Sequence, residues 1–142
     1  MTAIGYGGVI WVVIAIVLTI RNKKITKKLF TAIIWAEVIY FFFIEYLIKN
    51  YFGRLRPQFL LPDAILPYDF SRSFFFPSGH AAIAFALSYI LGKVDRKRKA
   101  FYYLLAIIIS FSRIYLGKHY PSDVVGGGVI GIVIGYLSSK LS

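Results

Sequence analysis

The sequence contains no cysteine and only six acidic residues, against 17 lysines and arginines. Without cysteine the chain can form no disulfide, no cysteine-ligated metal site and no thiol nucleophile, although the cellular compartment stays undecided. A formal net charge of +11 is typical of proteins that bind nucleic acids and of basic membrane proteins. A basic membrane protein holds its Lys and Arg in short cytoplasmic loops, so the position of these residues decides between the two classes.

What the chain does contain is mostly apolar. Hydrophobic residues make up 58% of its 142 residues, aromatic residues make up 18%, and the mean hydropathy is +0.70. A soluble domain of this length is not so apolar, which indicates a membrane protein. No linker or low-complexity segment divides the chain, so we expect residues 1–142 to form a single domain.

The apolar runs predict an all-α fold, an integral membrane helical bundle of about five transmembrane helices. The expected spans are residues 4–20, 29–48, 77–92, 100–116 and 121–137. Between the second and third spans, three prolines interrupt an aromatic stretch that could not satisfy its backbone in lipid, so we expect an interfacial loop there. Gly127, Gly131 and Gly135 recur every four residues and predict a packing strip on the last helix.

The basic residues separate the two faces of this bundle. Most of them lie in Arg21–Lys28 and Lys93–Lys99, and the positive-inside rule places these loops and the C-terminus in the cytoplasm, with the N-terminus outside. Because the charge sits in short loops between helices, a nucleic-acid binder is disfavoured. Lys140 belongs to the cytoplasmic C-terminus. The other six cations then share the outer face with both histidines and Asp123; they are Lys49, Arg54, Arg56, Arg72, Arg113 and Lys118.

The third span opens with Pro77-Ser78-Gly79-His80. Proline is favoured at the first helical position, so we expect Pro77 to begin the helix. Free N–H groups and the helix dipole attract an anion there, the Ser78 hydroxyl adds a donor, and Gly79 lets an anion approach the backbone closely. His80 is placed to move a proton. Alone, the tetrapeptide is more often an ordinary turn with a surface histidine.

Two further blocks meet this one on the outer face. The first is Lys49, six residues, then Arg56-Pro57; the other is Ser112-Arg113, five residues, His119, three residues, Asp123. Together the three blocks resemble the signature of the type 2 phosphatidic acid phosphatase family. These membrane lipid phosphate phosphatases share an active-site pattern with bacterial acid phosphatases and vanadium haloperoxidases.

The residue chemistry fits a phosphorylated substrate. Phosphoryl transfer depends on positioning and charge stabilisation; arginine can hold two phosphate oxygens, whereas lysine acts as a point charge. Singly, Lys49, Arg56 and Arg113 would more often be cations that reach the membrane interface. Tyr120 precedes a proline, so we expect the helix to break there and His119 to lie on a turn over the start of the last helix. The Asp123 carboxylate could then fix one ring nitrogen of His119. The other ring nitrogen would be free to attack phosphorus.

The resemblance implies a role for each matched position. His119 would be the nucleophile that forms a phosphohistidine, Asp123 would orient it, and His80 would protonate the leaving oxygen. The phosphate ligands would be Lys49, Arg56, Ser78, Gly79 and Arg113. The family needs no metal or other cofactor, and the sequence agrees, because no cluster of carboxylates accompanies the site.

The substrate class follows from the resemblance as well. We expect hydrolysis of a lipid phosphate or diphosphate at the extracytoplasmic face, with an undecaprenyl or dolichyl diphosphate preferred. Phosphatidic acid, phosphatidylglycerol phosphate and transfer to another lipid stay open. A non-catalytic lipid-binding or scrambling protein is disfavoured, because such a protein would lack one of the histidines. A haloperoxidase is disfavoured because the relatives with that activity are soluble and longer. The oligomeric state is left open.

Two acidic residues of the second span lie outside the three blocks, and the chain departs from the family pattern in one respect. Glu45 lies four residues before Lys49, which predicts either an ion pair that aims Lys49 or a surface pair of little consequence. For Glu37, near the middle of the second span, we expect a packing role against a Tyr or Ser of a neighbouring helix. Many relatives have six spans or an additional N-terminal helix, so we expect this chain to begin just before their second span.

Overall fold

The computed structural model describes residues 4–21, 26–48, 51 and 76–142, and in these ranges the regular structure is helical, without strands. The helices are α1 (Ile4–Arg21), α2 (Thr26–Ile39), α3 (Gly79–Val94), α4 (Lys99–Tyr115) and α5 (Pro121–Leu141). A π-helical segment, Tyr40–Ile48, continues α2, and a short 3₁₀ turn, Arg96–Arg98, joins α3 to α4. The prediction of an all-α fold with five helices is confirmed.

The second helix differs from the uniform α-helix predicted over residues 29–48. Its last nine residues are π-helical, and the Tyr40 hydroxyl donates a hydrogen bond to Glu45 Oε1 at 2.6 Å. A π-helix closes its turns between residues five apart, which is the separation of Tyr40 and Glu45. The wider turn therefore brings together two side chains that a regular α-helix would place on different faces.

The third helix begins at Gly79, so the prediction that Pro77 begins it is wrong. Ser78 is the N-cap, with the extended backbone angles φ −69° and ψ 112°. Its N–H donates to the carbonyl oxygen of Asp123 at 2.9 Å. Because that bond ties Ser78 to the start of α5, the first residue with helical geometry is the next one along the chain.

The centre of the bundle is α3, which packs against all four other helices. Small side chains make this possible: Ala81, Ala82, Ala84, Ala86 and Ser88 are all buried. The predicted glycine strip on α5 is confirmed as well. A Cβ on Gly131 would meet the backbone of Ala82, and one on Gly135 would meet that of Ala86, so the two helix backbones lie in close contact.

The outer surface of the bundle is strongly apolar. Large hydrophobic side chains are exposed along α1, α2 with its π-helical continuation, α4 and α5, for example Ile16, Phe41, Phe111 and Val129. By length and composition, Lys27–Ile48 and Pro121–Leu141 could each cross a membrane, and Ile10–Ile20 and Gly79–Val94 are apolar but shorter. Glu37, expected to pack against a neighbouring helix, is instead exposed on α2.

The interfacial loop predicted between the second and third spans lies almost entirely outside the described residues. The same holds for Lys49 and Arg56, two of the predicted phosphate ligands. The other six predicted site residues are all described.

Candidate active site

The start of α3 presents a buried hydroxyl group. The Ser78 side chain is completely inaccessible, and among the described residues its Oγ has no hydrogen-bond partner. The Ser78 carbonyl oxygen accepts from the Ala82 N–H at 3.0 Å, which fixes the first turn of the helix. Ser78 Oγ is thus an enclosed hydroxyl group beside a helix N-terminus, and the described residues leave its donor capacity unused.

Gly79 lies in close contact with the π-helical segment. The space that a Cβ would occupy is filled by the Tyr40 hydroxyl group, with the ring Cζ 3.2 Å from the ideal Cβ position. The absent side chain therefore serves the contact between the π-helical segment and α3, and that side of Gly79 is closed by Tyr40. Tyr40 was missed by the sequence analysis because its position depends on the π-helical turn.

A glycine reverses the chain direction just after the C-terminal end of α4. Gly117 has φ +64°, the left-handed conformation that glycine adopts at helix ends. Its N–H donates to the Ile114 carbonyl at 2.9 Å, and the Lys118 N–H donates to the Arg113 carbonyl at 3.0 Å, which is a Schellman motif. The His119 N–H also reaches the Arg113 carbonyl, at 3.3 Å, so the turn holds the backbone of His119 against the end of α4.

His119 and Asp123 lie together at the start of α5. As predicted, Tyr120 has an extended backbone, with ψ 153°, and Pro121 is the first helical residue. Asp123 is fully buried, and its Oδ2 accepts from the Tyr120 N–H at 2.9 Å. The same oxygen lies 3.9 Å from Nδ1 of His119, whose side chain is 10% exposed. This distance is longer than a hydrogen bond, so the carboxylate faces Nδ1 without bonding to it in this structure.

The start of α3 and the start of α5 are joined through their backbones. Besides the bond from Ser78 to Asp123, the α5 helix approaches Ser78 so closely that a Cβ on Gly127 would contact its carbonyl oxygen. His80 lies in the first turn of α3 and is half-buried. The start of α3 and the start of α5 therefore form one rigid unit that carries Ser78, His80 and Asp123.

Arg113 adds a positive charge next to this unit. Its Nε atom is buried and has no hydrogen-bond partner among the residues that the structure describes. Neighbouring Ser112 donates its hydroxyl to the Ile109 carbonyl at 2.6 Å, so it is satisfied within the helix. In the described ranges, no three His, Asp or Glu side chains come together as a metal site.

Comparison with known proteins identifies the family to which this arrangement belongs. A family model described as "PAP2 superfamily" matches residues 27–142. The chain belongs to the PAP2 superfamily.

Particular relatives share much of the chain. The Lipid A 4'-phosphatase of Bacteroides thetaiotaomicron is 35% identical over 92% of this chain and 64% of the relative. The Undecaprenyl-diphosphatase of Sulfolobus acidocaldarius is 30% identical over 93% and 63%. The crystal structure of LpxE from Aquifex aeolicus superposes with a TM-score of 0.69 at 35% identity, covering 94% of this chain and 78% of that one. The chain thus spans just under two thirds of both curated relatives.

Proposed function

We propose that this protein is an integral membrane phosphatase that hydrolyses a lipid phosphate or diphosphate through a phosphohistidine intermediate. The observation that carries the proposal is the hydrogen bond from the Ser78 N–H to the Asp123 carbonyl. It joins the phosphate-binding helix start to the histidine–aspartate pair. Membership of the PAP2 superfamily supports the same chemistry.

In the proposed mechanism His119 attacks the phosphorus atom through Nε2, because Nδ1 is the nitrogen that faces Asp123. A P–N bond forms while the P–O bond to the leaving group breaks. His80 donates its proton to the departing oxygen. A water molecule, deprotonated by His80, then attacks the phosphohistidine, releases inorganic phosphate and restores both histidines.

Buried donors hold the phosphoryl group during this transfer. Ser78 Oγ and Arg113 Nε are both donors that lack a partner among the described residues, and phosphate oxygens are strong acceptors. We infer that Gly79 contributes its backbone N–H at the helix start, and that Lys49 and Arg56 add the charges that complete the site. Donors positioned in advance stabilise the charge of the transition state without reorganisation.

For the substrate we propose a polyprenyl diphosphate, such as undecaprenyl or dolichyl diphosphate. The similarity to an Undecaprenyl-diphosphatase supports this choice. A second candidate, the 4'-phosphate of lipid A, is favoured by the more similar Lipid A 4'-phosphatase. Both substrates join a phosphate to long hydrocarbon chains, which suits the exposed apolar surface of the bundle.

We further propose that all five helices cross the membrane as one domain and that the site faces the extracytoplasmic side. The apolar exterior and the two helices of spanning length support the first part. The basic Arg96–Arg98 turn, at the end of the bundle away from the site, supports the second.

The test is phosphate release by the purified protein in detergent, with a chelator present. The panel would contain undecaprenyl diphosphate, lipid A, phosphatidic acid, phosphatidylglycerol phosphate and p-nitrophenyl phosphate. We expect release from undecaprenyl diphosphate to be fastest, and His119→Ala to abolish release from every substrate. Full activity in that variant would refute the mechanism.

His80→Ala provides a separate test of the proposed acid. General acid catalysis contributes about 10²–10⁴-fold, but a leaving group that departs as a stable anion needs little of it. We therefore expect a loss of that order on the lipid substrates and a much smaller loss on p-nitrophenyl phosphate. An equal loss on both would contradict the assignment of His80 as the proton donor.

A further inference from the structure

An apolar groove runs along the outside of the bundle between α4 and α5. Both helices pack on α3 and make few contacts with each other, and this leaves a space of about 340 Å³ between them. Phe85 of α3 forms its floor. One wall consists of Ile107, Phe111 and Ile114, and the other of Val125 and Val129.

One end of the groove lies where α4 ends and α5 begins, the helix ends that carry part of the candidate active site. Ile114, at its upper end on α4, directly follows Arg113, and Val124, at its upper end on α5, directly follows Asp123. The space itself is lined almost wholly by apolar side chains, and one end of it lies a single residue along each helix from Arg113 and Asp123. This sequence of polar and apolar surfaces matches a molecule with a phosphate at one end of a hydrocarbon chain.

A buried hydroxyl group supplies a second, independent observation. Ser110 lines the groove, its side chain is 3% exposed, and its Oγ has no hydrogen-bond partner among the described residues. Other helical serines behave differently: Ser88, Ser112 and Ser138 each donate to a carbonyl of the preceding turn, at 2.6–2.8 Å. A buried hydroxyl that does not bond to its own helix indicates a partner that the described residues do not supply.

The position of Ser110 suggests what that partner is. Ser110 precedes Arg113 by three residues, so both side chains lie on the same face of α4, one turn apart. A ligand whose phosphate contacts Arg113 would place the next oxygen atoms of its headgroup beside Ser110. Those atoms belong to the junction between the phosphorylated headgroup and the hydrocarbon chain.

We propose that the groove between α4 and α5 binds the hydrocarbon chain of the lipid substrate, and that the Ser110 hydroxyl donates to an oxygen at the headgroup–chain junction. The inference rests on the proposed function, since it takes the phosphate of the same lipid to occupy the site at Ser78 and Arg113. It makes the groove the element that selects long-chain over short-chain phosphates.

A matched pair of substitutions tests the groove. Ile107 lines it, and the next residue, Ile108, does not; the two are 53% and 57% exposed. We expect Ile107→Trp to raise KM at least tenfold for the long-chain lipid phosphate and to leave hydrolysis of p-nitrophenyl phosphate unchanged. Ile108→Trp should change neither. Equal KM values for the two variants on the long-chain substrate would overturn the proposal.

Ser110→Ala tests the hydroxyl in the same assay. We expect a KM several-fold higher for the lipid substrate and unchanged p-nitrophenyl phosphate hydrolysis, with Ser138→Ala, a buried serine away from the groove, as the control. A wild-type KM in Ser110→Ala would contradict the proposed hydrogen bond.

A binding measurement separates failure of the groove from failure of the proposed function. The probe is a fluorescent long-chain alkyl phosphonate, which cannot be hydrolysed, and the readout is its anisotropy with the full chain in detergent. If Ile107→Trp weakens binding and Ile108→Trp does not, the groove is supported even when no lipid is hydrolysed. Equal binding by both variants and the wild type would refute the groove alone.

Discussion

At the scale of single residues, the candidate site contains buried donors that have no partner among the described residues. A buried polar group without a partner costs about 1–3 kcal/mol. Ser78 Oγ and Arg113 Nε are two such atoms in the described part of the chain, and both belong to the sequence blocks proposed to bind phosphate. Under the proposed function, a bound phosphate would recover this cost.

Tyr40 is expected to position the phosphate-binding turn without touching the substrate. Its hydroxyl lies between Glu45 and Gly79. We expect Tyr40→Phe to lower kcat/KM about tenfold, the equivalent of roughly 1.4 kcal/mol, a size typical of a lost hydrogen bond. The loss should be the same for lipid substrates and p-nitrophenyl phosphate, because the phosphate site rather than the groove is affected.

Tyr136→Phe is the control for this substitution, since Tyr136 lies on α5 away from the site and contacts Tyr89 through its ring. Activity of Tyr40→Phe equal to that of Tyr136→Phe would show that the Tyr40 hydroxyl has no positioning role.

Residue spacing was sufficient to predict the local backbone around His119. The proline after Tyr120 predicts the break that turns His119 towards Asp123, and the structure shows both. The contact of Tyr40 with Gly79 could not be predicted, because it depends on how two helices distant in sequence pack. Glu45 was noticed only as a neighbour of Lys49, whereas the structure shows it accepting from Tyr40.

At the scale of helices, α5 determines the geometry of the site. Its N-terminus carries Asp123, and its glycine strip allows the backbone to lie against α3. The four-residue spacing of the glycines was enough to predict this face, since small residues at that interval permit close helix packing. The start of α3 was predicted two residues too early, because the bond that holds Ser78 extended comes from α5.

Two Gly→Ala substitutions test the helix contact. A Cβ on Gly131 would contact the backbone of Ala82, whereas one on Gly128 would lie 3.2 Å from the Phe85 ring, a side chain that can move. Both substitutions raise helix propensity by about 1 kcal/mol. We expect Gly131→Ala to lower the stability by about 1–3 kcal/mol, as overpacking does, and Gly128→Ala to change it little.

The measurement is thermal unfolding of both variants in the same detergent. Unchanged or higher Tm for Gly131→Ala would mean that α3 and α5 are further apart than the structure indicates.

At the scale of the whole molecule, the distribution of apolar and basic residues predicts the orientation in the membrane. Exposed hydrophobic side chains surround the bundle, and the Arg96–Arg98 turn lies at one end of α4 while Gly117 and His119 lie at the other. The apolar runs were enough to predict an all-α fold with five helices. They could not predict the groove, which arises because α4 and α5 pack on α3 rather than on each other.

The orientation can be tested with single cysteines, because the chain has none of its own. We expect a thiol reagent that cannot cross the membrane to label Ser71→Cys in intact cells. It should label Lys97→Cys, in the exposed turn between α3 and α4, only after lysis. The reverse pattern would place the active site on the cytoplasmic side.

The central claim is that His119 becomes phosphorylated during turnover. The most direct measurement is to quench the protein with alkali within milliseconds of adding substrate labelled in the transferred phosphate, and to locate the label by mass spectrometry. We predict an acid-labile, alkali-stable phosphate on His119 in the wild type and in His80→Ala, and none in His119→Ala. A phosphorylated intermediate that persists in His119→Ala, or rapid turnover of the wild type without any phosphohistidine, would contradict the account.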